Sequence, residues 1–127
     1  SVININEKNT KEDINNMKDF IKCFLKNKID TIAYYDEYFG IYEGDRSKYF
    51  NCFSIIELLI STYLNKYYEL DIDNDLYIEE LSTIDVNKII KMLEITSNLK
   101  KLINNNINLN LLIDRYIIEM ERGDTNA

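Results

Sequence analysis

Residues 45–69 read DRSKYFNCFSIIELLISTYLNKYYE, and the spacing within them decides the fold. Tyr49, Phe53, Ile56, Leu59, Ile60, Tyr63, Leu64 and Tyr67 recur at intervals of three and four, the period of one face of an α-helix. Asp45 stands just ahead of that run, where a carboxylate can accept the orphaned N–H groups of a first helical turn. The stretch is therefore expected to be a long capped helix that turns this face inward.

The same period extends outward in both directions. Upstream, Ile14, Met17, Phe20, Ile21, Phe24 and Leu25 share a face, with Asn9 and Glu12 as an N-cap pair and an end near Asn27. A second segment carries Ile29, Ile32, Tyr35, Tyr38, Phe39 and Tyr42 and closes at Gly40 to Gly44. Downstream, the acidic run Asp71 to Asp75 breaks the pattern, and Leu76, Ile78 and Leu81 suggest one or two short helical turns. Ser82 or Asp85 then starts a helix bearing Val86, Ile89, Ile90, Leu93, Leu99, Leu102 and Ile103. Asn108 starts a last one, carrying Leu111, Leu112, Tyr116, Ile117 and Met120 to about Arg122. No segment alternates with period two between turns, so no sheet is expected. The expected fold is all-α, an antiparallel bundle of five to six helices joined by short loops. Residues 9–122 form the expected domain. Residues 1–8, which begin with Ser rather than Met, read as a disordered leader or cloning remnant of a fragment, and residues 123–127 as a tail.

Composition bounds the chemistry. The chain has 127 residues, 15 Lys and Arg against 22 Asp and Glu for a net charge of −7, two Cys, and no His, Pro or Trp. Without His there is no Ser-His-Asp or Cys-His pair and no His-based zinc or haem site. Cys23 and Cys52 cannot supply a four-thiolate zinc site or a disulfide framework. The acidic balance argues against direct contact with nucleic acid, whose phosphates are gripped by clustered Lys and Arg. With 46% apolar and 29% charged residues the chain reads as globular, and no apolar run approaches the ~20 residues of a membrane span. A cytoplasmic location with reduced cysteines is expected. Ile, Asn, Lys and Tyr, all encoded by AT-rich codons, are abundant, which points to a low-GC genome.

Five local patterns invite a chemical reading, and each has a plainer one. Asp71 to Glu79 places acids at positions 1, 3, 5 and 9 of a calcium loop, but Leu76 stands where Gly is needed and Ser82 where a bidentate Glu is needed. Glu79 and Glu80 suit a solvated face. Gly40 and Gly44 lack the Lys-Ser/Thr of a phosphate loop and read as turn punctuation. Lys18, Lys22 and Lys26 share a helical face that is too short for a nucleic-acid stripe. Both cysteines sit among apolar neighbours and read as small core residues. No catalytic, cofactor-binding or metal-ligating residue is expected, and no cofactor. Ten tyrosines exceed what one small core needs, and Tyr is enriched at interfaces. Tyr34, Tyr38, Tyr42 and Tyr116 are the candidate interface positions.

The C-terminal stretch from Leu102 to Ile118 resembles the closing motif of bacterial DNA polymerase III delta-prime subunits, which runs Leu-x-x-Asn-x-Asn-x-x-Leu-x-Leu-Glu. Asn106 and Asn108 match its asparagines, Leu111 and Ile113 its apolar pair, while Asp114 stands where Glu is usual and Leu109 where Pro is common. The long helix, acidic loop and Ile95-Thr96-Ser97-Asn98-Leu99 helix end before it are similar to the same family's C-terminal domain. The resemblance implies a collar domain that joins delta and gamma/tau subunits into the clamp-loader ring, serving DNA replication without catalysing anything itself. It further implies Asn108 as a helix cap and Asp114 as an anchor to a neighbouring element. The gamma/tau collar is the nearest alternative; a free-standing helical adaptor is the alternative from another class.

Overall fold

A computed structural model describes residues 7–26 and 34–122. It contains four long α-helices: α1 (Glu7–Lys26), α2 (Arg46–Tyr67), α3 (Val86–Lys100) and α4 (Leu109–Arg122). A π-helical turn at Tyr35–Phe39 runs into a 3-10 turn at Gly40–Tyr42, and two further 3-10 turns, Asn74–Leu76 and Glu79–Thr83, link α2 to α3. The described residues contain no strand, and the molecule is an all-α helical bundle. Ile29 and Ile32 of the expected second segment lie outside the described residues, as do residues 1–6 and 123–127.

The long segment forms the centre of the bundle. Asp45 caps it as expected: its carboxylate accepts the Lys48 backbone N–H at 3.1 Å and the Ser47 hydroxyl at 2.7 Å. Those bonds, Ser47 first, hold its carboxyl below the ordinary range. Beyond the cap, α2 buries more than the expected face. Cys52, Phe53, Ser54, Ile55 and Ile56 are all buried, and five consecutive residues take in more than a full turn. Over that turn α2 is a core helix, while Ser47, Leu58, Asn65 and Lys66 elsewhere along it reach solvent. Tyr67, expected inward, is instead 51% exposed.

Polar pairs fix how the helices run. Glu57 meets Ser97 and Lys100, and Arg46 meets Ile103, so α3 lies antiparallel to α2. The helix after it reverses again, with Thr96 bonded to Tyr116. Phe53 and Tyr116 pack with ring centroids 4.6 Å apart, each seven residues into its helix, so α4 runs beside α2 in the same sense. Asp13 of α1 sits beside Lys48 at the start of α2, while Phe24 and Leu25 share a groove with Glu121. α1 therefore also runs with α2 and α4.

Helix limits depart from expectation in three places. α1 already includes Glu7 and Lys8, so Asn9 lies within the helix rather than capping it, a position that costs Asn under ~1 kcal/mol. α3 is capped by Asp85, whose carboxylate accepts the Asn87 N–H at 3.0 Å, and ends at Lys100. Leu102 and Ile103, expected on that helix, sit in the turns that follow it. Within α3 the buried residues are Ile89, Met92, Ile95, Thr96 and Leu99, while Ile90 and Leu93 lie half-buried at its edge. The α1 face is as read, with Met17, Phe20 and Ile21 fully enclosed.

The C-terminus of α2 closes on a Schellman arrangement. The Glu69 N–H donates to the Lys66 carbonyl at 2.9 Å and the Leu70 N–H to the Asn65 carbonyl at 2.8 Å. That geometry places Glu69 at φ 64°, the only positive φ outside glycine among the described residues. A side chain there strains the backbone by about 1 kcal/mol or more, which Gly avoids. Glu69→Gly is therefore expected to stabilise the fold by about 1 kcal/mol and to raise the thermal midpoint by a few degrees. A lowered or unchanged midpoint in differential scanning calorimetry would contradict this.

Candidate functional site

The motif-bearing stretch is held from a distance. Arg46, the first residue of α2, points its guanidinium at the turn before α4. Its Nη1 donates to the carbonyls of Ile103 at 2.9 Å and Asn105 at 3.1 Å, and its Nη2 to that of Ile107 at 2.6 Å. A planar fork can satisfy several carbonyls at once, which an ammonium cannot do with the same geometry. The Asn105 carbonyl also accepts the Ile107 N–H at 2.8 Å, and Arg46 supplies a donor to the Ile103 and Ile107 carbonyls of this irregular turn.

Each motif residue can now be placed. Asn108 is the helix cap the sequence suggested, its Oδ1 accepting the Leu111 N–H at 3.1 Å. Asn106 is exposed on the turn. The apolar pair divides: Ile113 is fully buried, but Leu111, expected inward, is 64% exposed. Two residues apart on a helix lie about 200° apart around its axis, so the two cannot share a face. Asp114 is half-exposed and makes no hydrogen bond or ion pair to another described residue; the anchoring it was expected to provide comes from Arg46 instead. Glu119, not anticipated, is buried on α4 and bonds Arg115 Nε at 2.6 Å.

The tyrosines proposed for an interface face the wrong way. Tyr34 and Tyr116 are fully buried, Tyr42 is buried, and Tyr38 is half-buried. They belong to an aromatic core around Phe20, whose ring approaches Tyr34, Tyr38, Phe39 and Tyr116 with centroids 5.3–6.4 Å apart. What lets tyrosine sit there is a partner for each hydroxyl. Thr96 Oγ1 lies 2.8 Å from the Tyr116 hydroxyl, and the Tyr42 hydroxyl donates to Asp13 Oδ1 at 2.6 Å. Asp13 is itself buried and also takes Lys48 Nζ at 3.0 Å. Burial, first of all, drives the Tyr42 and Tyr116 hydroxyls and the Cys52 thiol far above their ordinary pKa values; the Asp13 carboxylate adds to the shift at Tyr42 and Cys52.

Several further polar groups are paired with one another. Glu57 accepts from Ser97 and from Lys100, each at 2.6 Å, and Lys100 also lies over the Phe50 ring. Lys18 of the basic stripe bonds the Asp75 carbonyl and pins the acidic loop to α1. Within that loop the Asp73 carboxylate accepts the Asp75 N–H at 2.9 Å, the cap of a 3-10 turn. No buried side-chain nitrogen or oxygen among the described residues lacks a partner, and none of their Cys, Asp or Glu groups converge as three or more potential metal ligands. No described helix is long and apolar enough to cross a membrane.

Several large apolar side chains also reach solvent. Tyr67, Tyr68 and Leu70 are exposed at the end of α2, Leu111 and Ile118 along the outer side of α4, Ile41 in the 40–42 turn and Leu58 midway along α2. Because α4 starts beside Arg46, Leu111 lies near the beginning of the bundle. Tyr67 is 21 residues further along α2, about 30 Å away. An open groove of about 460 Å³, lined by Phe24, Leu25, Ile84, Met92, Lys26 and Lys88 among others, lies between α1 and α3. Compared with known proteins, the chain matches no family model, no curated protein and no solved structure.

Two expectations follow from these contacts. Arg46→Ala should lower stability by about 2 kcal/mol and speed amide exchange from residue 103 to residue 109, with Arg46→Lys recovering less than half. Urea denaturation reads the first and hydrogen exchange the second; a silent Arg46→Ala would show that water replaces the guanidinium without loss. The second concerns alkali. The buried hydroxyls and thiol have raised pKa values in the folded chain and ordinary ones, roughly 8.5–10, in the unfolded chain. The stability they confer is complete below that range and is lost as pH climbs through and beyond it. The urea midpoint should therefore fall above about pH 9, and Tyr42→Phe should flatten that fall.

Proposed function

We propose that this domain is an assembly module, and specifically the collar domain of a clamp-loader subunit of delta-prime type. The observation that carries the reading is the presence of two separate groups of exposed apolar side chains, Tyr67, Tyr68 and Leu70 at one end and Leu111 and Ile118 on α4, with Ile41 and Leu58 exposed singly in the 40–42 turn and midway along α2. A subunit in a heterologous ring presents two different faces to two different neighbours, and apolar groups left on an otherwise polar surface mark such faces. The internal pairing of Asp13, Glu57 and Glu119 leaves these side chains to structural work, which suits a part that holds others in place. The net charge of −7 suits a collar remote from the DNA.

The delta-prime identity rests on the Asn106 to Asp114 motif. Asn108 supports it by capping α4, and the exposed Leu111 beside it offers the motif's apolar residue to a neighbour rather than to the core. The contribution to replication is geometric: a fixed ring lets attached ATPase modules move together and open a sliding clamp.

Co-expression of the intact subunit with delta and gamma/tau subunits of a low-GC bacterium tests the proposal. A stoichiometric complex that elutes as one species on gel filtration is expected. Leu111→Asp together with Ile118→Asp should weaken it by roughly tenfold or more while leaving the helical circular dichroism intact. Assembly in place of gamma/tau rather than of delta-prime would reassign the collar, and no association with either subunit would overturn it in favour of a free-standing adaptor.

A further inference from the structure

We propose that the exposed end of α2 is a docking surface for a cationic amphipathic segment of a partner protein. Tyr67, Tyr68 and Leu70 would receive its apolar residues, and Glu69 and Asp71 its Arg or Lys groups. The inference rests on the assembly reading above and gives the chemistry of one of its partners.

The patch is continuous and built. Tyr67, Tyr68 and Leu70 are 51–60% exposed within four residues of each other. Their rings are not loose: Tyr67 packs edge-on against Tyr68 at 5.1 Å and lies 6.4 Å from Tyr63, which stacks on Tyr77 at 5.8 Å. The Schellman bonds from Glu69 and Leu70 fix the backbone beneath them. A surface held rigid before binding loses less freedom when it binds.

Charge selects the occupant. Exposed Glu69, Asp71, Asp73 and Asp75 follow the aromatic pair. The ammonium groups close by are already engaged, Lys66 over the Tyr77 ring at 4.6 Å and Lys18 at the Asp75 carbonyl. Carboxylates around aromatic faces repel the phosphates of nucleic acid and of anionic lipid. They attract guanidinium and ammonium groups, which bind the ring face and the carboxylate together. A polypeptide carrying Arg or Lys between apolar residues satisfies both halves of the patch.

The test uses the full chain, isotopically labelled, and two synthetic peptides of about 18 residues patterned for an amphipathic helix, one of Leu and Arg and one of Leu and Glu. The Arg peptide is expected to bind roughly tenfold tighter or more, with amide shifts concentrated at residues 66–71 and an affinity that falls with added salt. Leu70→Ser with Asp71→Lys alters two exposed side chains, so the fold is retained, and should cost roughly tenfold in affinity. Equal binding of the two peptides, shifts centred on α4 or on the Phe24–Met92 groove, or unchanged affinity in the double variant would each overturn the inference. So would self-association of the chain, or binding of phosphatidylglycerol vesicles, through the same amides. The collar reading stands or falls separately: clamp-loader assembly unaffected by the double variant removes this surface and keeps the collar. Peptide binding without clamp-loader assembly does the reverse.

Discussion

The rest of this domain depends on one stretch of helix that is enclosed through a full turn. Residues 52–56 of α2 are buried one after another, and burying a large side chain contributes on the order of 1.5–3 kcal/mol. That gain is available only if neighbours close around this turn of the helix. α1, α3, α4 and the turns at residues 35–42 are those neighbours. Their lengths, directions and inward residues are set by the surface they must cover. Phe53 shows the demand: it needs Phe39 on one side and Tyr116 on another, from elements far apart in sequence.

A core of this kind would be purely aliphatic if packing were all it required. Instead it admits Asp13, Thr96 and the hydroxyls of Tyr42 and Tyr116, each with a partner. Breaking any one pair leaves a buried group uncompensated, at a cost of about 1–3 kcal/mol for a neutral group and more for a charge. Alternative packings of similar helices would leave such groups unsatisfied, so the pairs help select one arrangement of the bundle.

Local features were readable from the sequence because local chemistry produces them. Asp45, Asp85 and Asn108 begin their helices as their side chains dictate, and Met17, Phe20 and Ile21 face inward as their spacing requires. What escaped the sequence is what depends on distant partners. Arg46 reaches carbonyls 57–61 residues away, and Lys48 reaches Asp13 across 35. Nothing in periodicity distinguishes these cations from solvated ones. The tyrosines were misread for the same reason, since whether a phenol is buried turns on a tertiary hydroxyl such as Thr96. At the candidate site, the cap at Asn108 was legible, but the outward Leu111, the left-handed Glu69 and the exposed Tyr67 emerge only once helix lengths and orientations are known.

Arg46 also sets an order in time. Its side chain leaves the ribosome long before the carbonyls of residues 103–107 exist. Until that turn has been synthesised, the first turn of α2 carries a solvated guanidinium, and the surface that Tyr116 will cover on Phe53 stays open. A nascent chain is therefore left with apolar core exposed for most of its synthesis, the condition under which chains aggregate or recruit chaperones. Completion comes from the carboxyl-terminal side, when one arginine closes a loop of some sixty residues.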